Sequence, residues 1–184
     1  MSRPIHALKH EHRVIEQGLR ALDGVCLRLA SGHQVPPEAL SQVVDFIRAF
    51  AVRYHHGKEE AHLFPILERR NVVRAGGPLD VLTYQHETEC GLADQLSLAA
   101  QKYSEGDLEA RGRFVTAAGR YIELMVGHME REDQILFRLA EEVLDETDKA
   151  ELTRAFEHAA TEFGAGSLEK YERLAAELER AWAA

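Results

Sequence analysis

Histidine and glutamate occur at two places in the chain with the spacing of a metal-binding helix face. His55 precedes Glu59 by four residues, and His128 precedes Glu132 by the same interval. Residues i and i+4 lie one above the other on a helix, so each pair can reach a single point in space. Imidazole and carboxylate donors together suit a borderline metal such as iron, and no cysteine motif suggests structural zinc. The two pairs therefore predict a His/Glu metal site.

The two halves of the chain repeat this arrangement. The first half reads Glu11-His12, then His55-x-x-x-Glu59 and Leu63-Phe64, and the second reads Gln85-His86, then His128-x-x-x-Glu132 and Leu136-Phe137. Two such hairpins, related by a pseudo-two-fold axis, would converge on two equivalent metal positions in a bundle core. The candidate metal ligands are His12, His55, Glu59, His86, His128 and Glu132.

The charge of this ligand set explains why it needs cations. Neutral histidines and two carboxylates together carry a charge of about −2, and buried carboxylates without a cation are costly. A metal pair would neutralise the glutamates and tie the helices together. Six protein ligands on two iron ions leave positions open for an oxo or hydroxo bridge and for a small molecule.

Four long segments with helical periodicity must position these residues. Breaker-rich stretches at 31–37, 73–78 and 104–107 separate the segments, and no segment alternates with the period of a strand. Segments of roughly 25–35 residues with short connections favour antiparallel neighbours. The sequence therefore predicts an all-α fold, an up-down-up-down four-helix bundle. The inward stripe should continue from Glu59 to His62 in the second helix, and from Glu132 to Ile135 and Leu139 in the fourth.

The chain after the fourth segment has no recognisable site residues. Asp145 to Asp148 resembles a helix start, Gly164-Ala165-Gly166 interrupts the pattern, and a last amphipathic segment ends near Trp182. We expect residues 1–144 to form the bundle and residues 145–184 to form a C-terminal helical extension packed on it.

Composition excludes several classes of partner. The formal net charge of −9 argues against binding to nucleic acid or to an anionic membrane surface. No apolar run approaches the ~20 residues of a membrane span, and the first residues lack the apolar stretch of a secretion signal. We therefore expect a cytoplasmic protein in which Cys26 and Cys90 are free thiols.

The motifs together resemble the hemerythrin-like, or HHE cation-binding, family. They are Glu11-His12-Arg13, Tyr54-His55-His56-Gly57-Lys58-Glu59-Glu60 with Leu63-Phe64-Pro65, Gln85-His86-Glu87, and His128-Met129-Glu130-Arg131-Glu132-Asp133 with Leu136-Phe137. The resemblance implies a non-haem di-iron site that meets dioxygen, peroxide or related diatomic molecules. It also implies that the ligand roles carry over to the six residues named above.

Two departures from the oxygen-carrying members affect the expected function. Those carriers have His-x-x-x-His on the third helix, whereas Cys90 follows His86 by four residues here. They also use His-x-x-x-x-Asp on the fourth helix, a spacing that Asp133 fits, although Glu132 fits the internal repeat better. With one histidine fewer, a more open, more reactive or more exchangeable site is expected in place of reversible oxygen carriage.

Two metal-dependent functions remain open from the sequence, and a third interpretation is a helical interaction domain without a metal. One is a di-iron protein that binds, senses or reduces dioxygen or peroxide, with peroxide decomposition or another oxidoreductase activity as its enzymatic form. The other is a non-enzymatic module that buffers, donates or senses iron, including a form that responds to nitric oxide. The sequence indicates a small diatomic or peroxide ligand and identifies no protein partner.

Several residues near the ligands have more than one interpretation. His56 and Glu60 have the same spacing as His55 and Glu59, but the internal repeat favours the latter pair and makes the former flanking or outer residues. Further candidates for coordination or for support of a ligand are Glu16, Tyr54, His62, Tyr121 and Asp133, each with a simpler reading as a packed or exposed side chain. Cys90 reads best as a small buried hydrophobe, and His6, His10, His33 and His158 read as surface residues.

Overall fold

The computed structural model describes residues 1–183, and within this range every regular element is a helix. The six helices are α1 (Arg3–Ala30), α2 (residues 37–69), α3 (Pro78–Ser104), α4 (residues 110–143), α5 (Glu146–Phe163) and α6 (Ser167–Trp182). The prediction of an all-helical protein is confirmed. None of the described helices combines the length and the apolarity that a membrane crossing requires.

Residues with special backbone preferences set the helix ends. Proline occupies the first turn of α1, α2 and α3, where its missing N–H costs no hydrogen bond. After α1 the chain turns at Gly32, whose φ of 83° favours glycine. Helix α5 begins with a capping box, in which the Asp145 carboxylate accepts hydrogen bonds from the backbone N–H groups of Thr147 and Asp148. The sequence signals for these ends are therefore correct.

Both helices with a His-x-x-x-Glu pair contain π-helical stretches that include residues of the pair. In α2 these are Ile47–His56 and Glu59–Leu63, and in α4 the stretch is Glu132–Leu136. The i→i+5 pattern widens the turn, and such insertions often occur at functional sites.

The wider turn corrects the predicted inward stripes. Ile135 is 55% exposed, and Leu136 takes the buried position that a regular α-helix would have given to Ile135. In α2, His62 is only half-buried and Leu63 is fully buried. The stripe predictions for Ile135 and His62 are therefore wrong, because they assumed the uniform periodicity of an α-helix.

The interior consists of two apolar clusters separated by a polar layer. One cluster includes Leu19, Leu22, Phe46, Phe50, Leu96 and Phe114, and the other includes Leu8, Phe64, Leu67, Leu82, Phe137 and Leu152. Along each of the helices α1 to α4, the candidate ligands lie between residues of the two clusters. The polar layer is thus shielded on both sides by packed hydrocarbon.

The last two helices pack on the first hairpin. Helix α6 contacts α1 and α2, and α5 contacts α1 and the π-helical part of α2. The approach is close, since a Cβ added at Gly24 would lie 1.8 Å from the Trp182 carbonyl oxygen. The division of the chain at residue 144 stays a prediction.

Candidate metal centre

The polar layer brings the six sequence-predicted ligands together. Each is at most 3% exposed, although each is polar or charged. Two groups of four donors satisfy the distance requirement of a metal site, one made of His12, His55, Glu59 and Glu132 and the other of His86, His128, Glu59 and Glu132. The two groups share both glutamates, as the internal repeat implies.

The histidines form two matched pairs. The Nε2 atoms of His12 and His55 are 3.2 Å apart, and those of His86 and His128 are also 3.2 Å apart. Ligands in neighbouring positions around a metal with bonds of about 2.1 Å lie about 3 Å apart. Each pair of nitrogens therefore has the separation of two adjacent ligands of one cation.

Both glutamates reach both histidine pairs. Glu132 Oε2 lies 3.2 Å from His12 Nε2 and 3.3 Å from His128 Nε2. Glu59 uses its two oxygens separately, with Oε1 at 3.7 Å from His55 Nε2 and Oε2 at 3.5 Å from His86 Nε2. A carboxylate that faces two donor pairs can bridge two cations.

The unsatisfied atoms of this layer test whether a metal pair fits. All four carboxylate oxygens of Glu59 and Glu132 are buried without a hydrogen-bond partner. Buried polar groups are almost always paired, and an unpaired buried carboxylate is strongly unfavourable. Cations would satisfy these oxygens, so the donor types, their spacing and their lack of partners all fit a pair of metal ions.

Each of the four histidines has a polar partner at its other ring nitrogen. On the first pair, His12 Nδ1 contacts Asp133 Oδ1 at 3.2 Å, and His55 Nδ1 contacts Glu11 Oε2 at 2.9 Å. An ionised carboxylate can only accept, so each Nδ1 carries a proton and Nε2 is the nitrogen that faces the metal position. Such outer partners fix the tautomer and the ring orientation of metal-binding histidines.

The second pair repeats this pattern. His86 Nδ1 contacts Glu60 Oε1 at 2.6 Å, and His128 Nδ1 contacts Gln85 Oε1 at 3.2 Å. The outer partners obey the same pseudo-symmetry as the ligands, since Glu60 and Asp133 each follow a shared glutamate. Apolar rings close the site from one side, with Phe137 stacked on His12 and Phe64 stacked on His86.

The two shared carboxylates have opposite pKa shifts in the metal-free protein. Burial and the neighbouring Glu132 carboxylate raise the pKa of Glu59 well above its ordinary value. Burial also opposes ionisation of Glu132, but His128 and His12 outweigh it and hold its pKa well below the ordinary value. The surroundings therefore favour the protonated form of Glu59 and the ionised form of Glu132, and cations would compensate the charge of both.

The two histidines of the first pair also have opposite pKa shifts. Burial opposes protonation of His12, but the hydrogen bond to Asp133 and the adjacent Glu132 carboxylate raise its pKa to about 9. Burial and the nearby positive charges of His12 and Lys58 lower the pKa of His55 well below its ordinary value. Cation binding must consequently displace a proton from His12, whereas His55 is already neutral.

Two buried polar residues beside the site were not identified as site residues from the sequence. His56, predicted to be a flanking or outer residue, is 2% exposed, and its ring stacks on His86 with centroids 4.0 Å apart. The prediction for His56 is wrong, because in the π-helical stretch both adjacent histidines face inward. Glu89 is fully buried, with Oε2 3.3 Å from His56 Nε2. Its position three residues after His86, on the same helix face, was the signal available in the sequence.

Other candidates lie outside the six-ligand cluster. Glu16 is exposed and pairs with Arg20, and the Tyr54 ring stacks on Phe163 at 4.7 Å. His62 is half-buried, with its ring 6.3 Å from that of Phe156.

Asp133 and Tyr121 are two further candidates that belong to neither group of donors. Asp133 acts as the outer partner of His12. Tyr121 is fully buried, and its hydroxyl has no hydrogen-bond partner. Burial, and after it the Glu89 carboxylate, raises the pKa of Tyr121 well above its ordinary value. Tyr121 is therefore a neutral hydroxyl close to Glu89.

The remaining cysteine and histidine predictions have mixed outcomes. Both cysteines are free thiols, as predicted, but Cys90 is exposed and not a buried hydrophobe. It lies four residues after His86, in the stretch of α3 where Glu89 and not Cys90 faces the interior. The four remaining histidines are exposed, as predicted: His6, His10, His33 and His158.

Comparison with known proteins gives a family and a set of relatives. The family model of the Hemerythrin HHE cation binding domain matches residues 3–140. Uncharacterised proteins of Mycobacterium tuberculosis and Mycobacterium bovis are 28% identical to the chain over 177 residues, which is 94% of this chain and 68% of each relative. No solved structure matches the chain.

Proposed function

Because the chain belongs to the hemerythrin HHE cation-binding family, we propose that its polar layer holds two iron ions and binds, senses or reduces dioxygen or peroxide. The observation that carries this proposal is the pair of shared glutamates. Glu59 and Glu132 each face both histidine pairs, and none of their oxygens has another partner.

Each protein group has a defined task in this proposal. His12 and His55 would hold one iron ion, His86 and His128 the other, and the two glutamates would bridge them. When bound, the iron pair supplies exchangeable coordination positions and reversible electron transfer to a small oxygen species. The outer partners keep each Nδ1 protonated and each Nε2 directed inward. The stacked phenylalanines and the two apolar clusters exclude bulk water from the site.

The arrangement of the helices supports a bundle that can carry such a site. Helix α1 contacts α2 and α4, and α3 contacts α2 and α4, so the four helices form a closed ring. Short connections join successive helices. We therefore infer the up-down-up-down order for residues 1–144, in which facing helices project ligands inward.

Peroxide is the substrate class that allows the sharpest test. Two molecules of hydrogen peroxide yield one dioxygen and two waters, so the balance needs no further reductant. Iron should be loaded anaerobically, its content determined by elemental analysis, and dioxygen release and visible absorbance followed after peroxide is added. We expect two iron ions per chain, dioxygen release and an absorbance change. Loaded protein with neither turnover nor a spectral change would reject the enzymatic form of the proposal.

A second candidate function is an iron module that buffers, donates or senses iron through its folding. The unfavourable burial of Glu59 and Glu132 in the metal-free chain favours it, since a cation that binds only the folded state stabilises that state. Iron at about 100 times its Kd adds about 2.7 kcal/mol. This should raise the Tm of a protein of this size by about 5–10 °C. An unchanged Tm and unchanged helicity after iron removal would reject this candidate.

A further inference from the structure

A fifth histidine, His56, groups its donor nitrogen with His86 and His128, although its ring centroid also lies 5.6 Å from that of His55. One ring nitrogen of His56 is within 4.8 Å of donor nitrogens of both His86 and His128. The His56 ring is parallel to that of His86 and roughly perpendicular to that of His128, with centroids 4.0 and 5.3 Å away. Its ring nitrogens are buried and have no hydrogen-bond partner.

The fold by itself does not require a polar group at this place. In the internal repeat, His56 corresponds to Met129 and Glu89 corresponds to Ile15, and both counterparts are buried apolar residues. The same scaffold therefore packs well with hydrocarbon on the side of His12 and His55. A buried imidazole and a buried carboxylate without partners are destabilising, so their presence points to a bound ligand.

The Glu89 carboxylate lies next to the His56 ring, just as an outer partner lies next to each of the other four histidines. Its Oε2 lies 3.3 Å from His56 Nε2, and both Glu89 oxygens lack a hydrogen-bond partner. If Nε2 faces Glu89, Nδ1 is the nitrogen left for a cation. A carboxylate behind a metal-binding histidine is the usual arrangement.

We propose that the His56 ring turns out of its parallel stacking on His86 and becomes an additional nitrogen ligand of the cation held by His86 and His128, with Glu89 as the positioning residue behind it. This inference rests on the proposed function, because it assigns a further ligand to the same metal centre. The two metal positions are then unequal, with three histidine nitrogens at one and two at the other. The position with three nitrogens binds its cation more tightly and fills first.

Metal competition against a chelator tests this assignment. Fe²⁺ affinities of both equivalents should be measured anaerobically for the wild type, His56→Gln, Glu89→Gln and the control His62→Gln, whose histidine lies outside the metal cluster. We expect His56→Gln to weaken one equivalent by about 100-fold and Glu89→Gln to weaken the same one by about 10-fold. The other equivalent and the control should keep wild-type affinity.

The failures of the two proposals are distinguishable in this experiment. If His56→Gln binds both equivalents with wild-type affinity, the His56 assignment is overturned and the proposed function stands. A wild-type chain that binds no iron overturns the proposed function itself. Circular dichroism of each metal-free variant establishes that the helices are intact.

A measurement on the unmodified chain covers the case in which His56→Gln does not fold. In the Co²⁺-loaded wild-type protein with ¹⁵N-labelled histidine, each metal-bound imidazole gives a strongly shifted ring N–H signal. Five such signals support the assignment, and four overturn it. Because Co²⁺ prefers the same nitrogen and oxygen donors as Fe²⁺, the count reports the ligand set without any activity.

Discussion

The two hairpins of the molecule carry the same ligands in different surroundings. In the first hairpin, Lys58 donates a hydrogen bond to Glu11, the outer partner of His55, and both side chains are buried. In the second, Arg131 donates to Gln85 at 2.9 Å, and both residues are only half-buried. The ligand positions are thus repeated, whereas the groups that support them differ in charge and in exposure.

The C-terminal helices account for much of this difference. The Lys58 ammonium lies 4.3 Å from the centroid of the Tyr54 ring and 4.7 Å from that of Phe156 on α5. No described residue of α5 or α6 stacks in this way on Arg131. The extension therefore buries an ion pair on one side of the bundle and leaves the equivalent pair accessible to solvent on the other.

The comparison teaches that the two metal positions need not be equivalent, even though their ligands repeat. The side of His86 and His128 has the additional buried donor His56 with Glu89 beside it, and the side of His12 and His55 has a buried charged pair behind it. Only the two shared glutamates belong to both sides. Substitutions of the shared glutamates, of residues found on one side only and of the outer partners should therefore affect metal affinity and stability in different ways.

The largest effect is expected from Glu59→Gln. Because Glu59 reaches both histidine pairs, its loss should weaken both metal equivalents by at least about 100-fold. His12→Gln, by contrast, should weaken only the equivalent held with His55. Burial raises the pKa of Glu59, and glutamine closely mimics a protonated glutamate, so the fold should be retained. Iron content after gel filtration in dilute chelator measures both effects.

The exposed Glu130 provides the control for this comparison. Glu130→Gln lies on the same helix as Glu132, but its side chain only accepts a hydrogen bond from Gln134. It should keep two iron ions per chain. A Glu59→Gln protein that loses a single equivalent and keeps the other at wild-type affinity would contradict the bridging role.

The second prediction compares Lys58 and Arg131, the cationic side chains that donate hydrogen bonds to the outer partners Glu11 and Gln85. Lys58→Met should leave the buried Glu11 carboxylate uncompensated and lower the free energy of unfolding by about 3–5 kcal/mol. The matched change Arg131→Met, at a half-buried position beside a neutral amide, should cost about 1 kcal/mol or less. Urea unfolding of the metal-free proteins measures both values. Equal losses for the two variants would show that burial by the C-terminal helices is not what separates the halves.

The main features of the fold and the ligand set could be predicted because they follow from local rules. Proline and glycine mark the helix ends, and the i, i+4 spacing combined with the internal repeat identifies six side chains that do come together. Glu11 precedes His12 and Gln85 precedes His86, so the sequence shows a glutamate or glutamine before the histidine in the first helix of each hairpin. Its role as an outer partner depends on a neighbouring helix and therefore appears only in three dimensions.

The features that could not be predicted depend on the local widening of the helices. A regular α-helix separates neighbouring residues by 100°. The internal repeat predicts an outer position for His56, and uniform α-helical periodicity predicts an inner position for Ile135. The π-helical stretches reverse both positions, and no local composition rule announces a π-insertion. The burial of Glu89 likewise required knowledge of which residues of α3 face the interior.

The third prediction uses the raised pKa of His12, which is about 9. A histidine with a raised pKa contributes stability that is fully present below its ordinary value of 6.5 and is lost as the pH rises through about 9. Asp133→Asn should lower this pKa and reduce the stability of the metal-free protein at pH 7 by about 1 kcal/mol, since Asp133 is partly exposed. Urea unfolding between pH 6 and pH 10 should show a loss that starts near 6.5 in both proteins but is smaller, and complete at a lower pH, in the variant.

Glu60→Gln is the matched control in the other half, because Glu60 follows Glu59 as Asp133 follows Glu132. It contacts His86 and not His12. The His12-dependent part of the pH profile should therefore be unchanged in Glu60→Gln. If both variants shift the profile equally, the outer carboxylates act through the general charge of the site and not through individual histidines.

The last prediction concerns the smallest effect. The two hairpins should differ in the reactivity of their thiols, without any change in stability. Cys26 of the first hairpin is buried in an apolar cluster that includes Tyr171 and Leu178 of α6, and burial together with Asp23 raises its pKa to about 12. Cys90 of the second hairpin is exposed. Since the thiolate is the reactive form, a disulfide reagent at pH 8 should label Cys90 rapidly and Cys26 at least about 100-fold more slowly. Cys90→Ser should abolish the fast phase, and two fast thiols in the wild type would mean that α6 does not seal the first hairpin in solution.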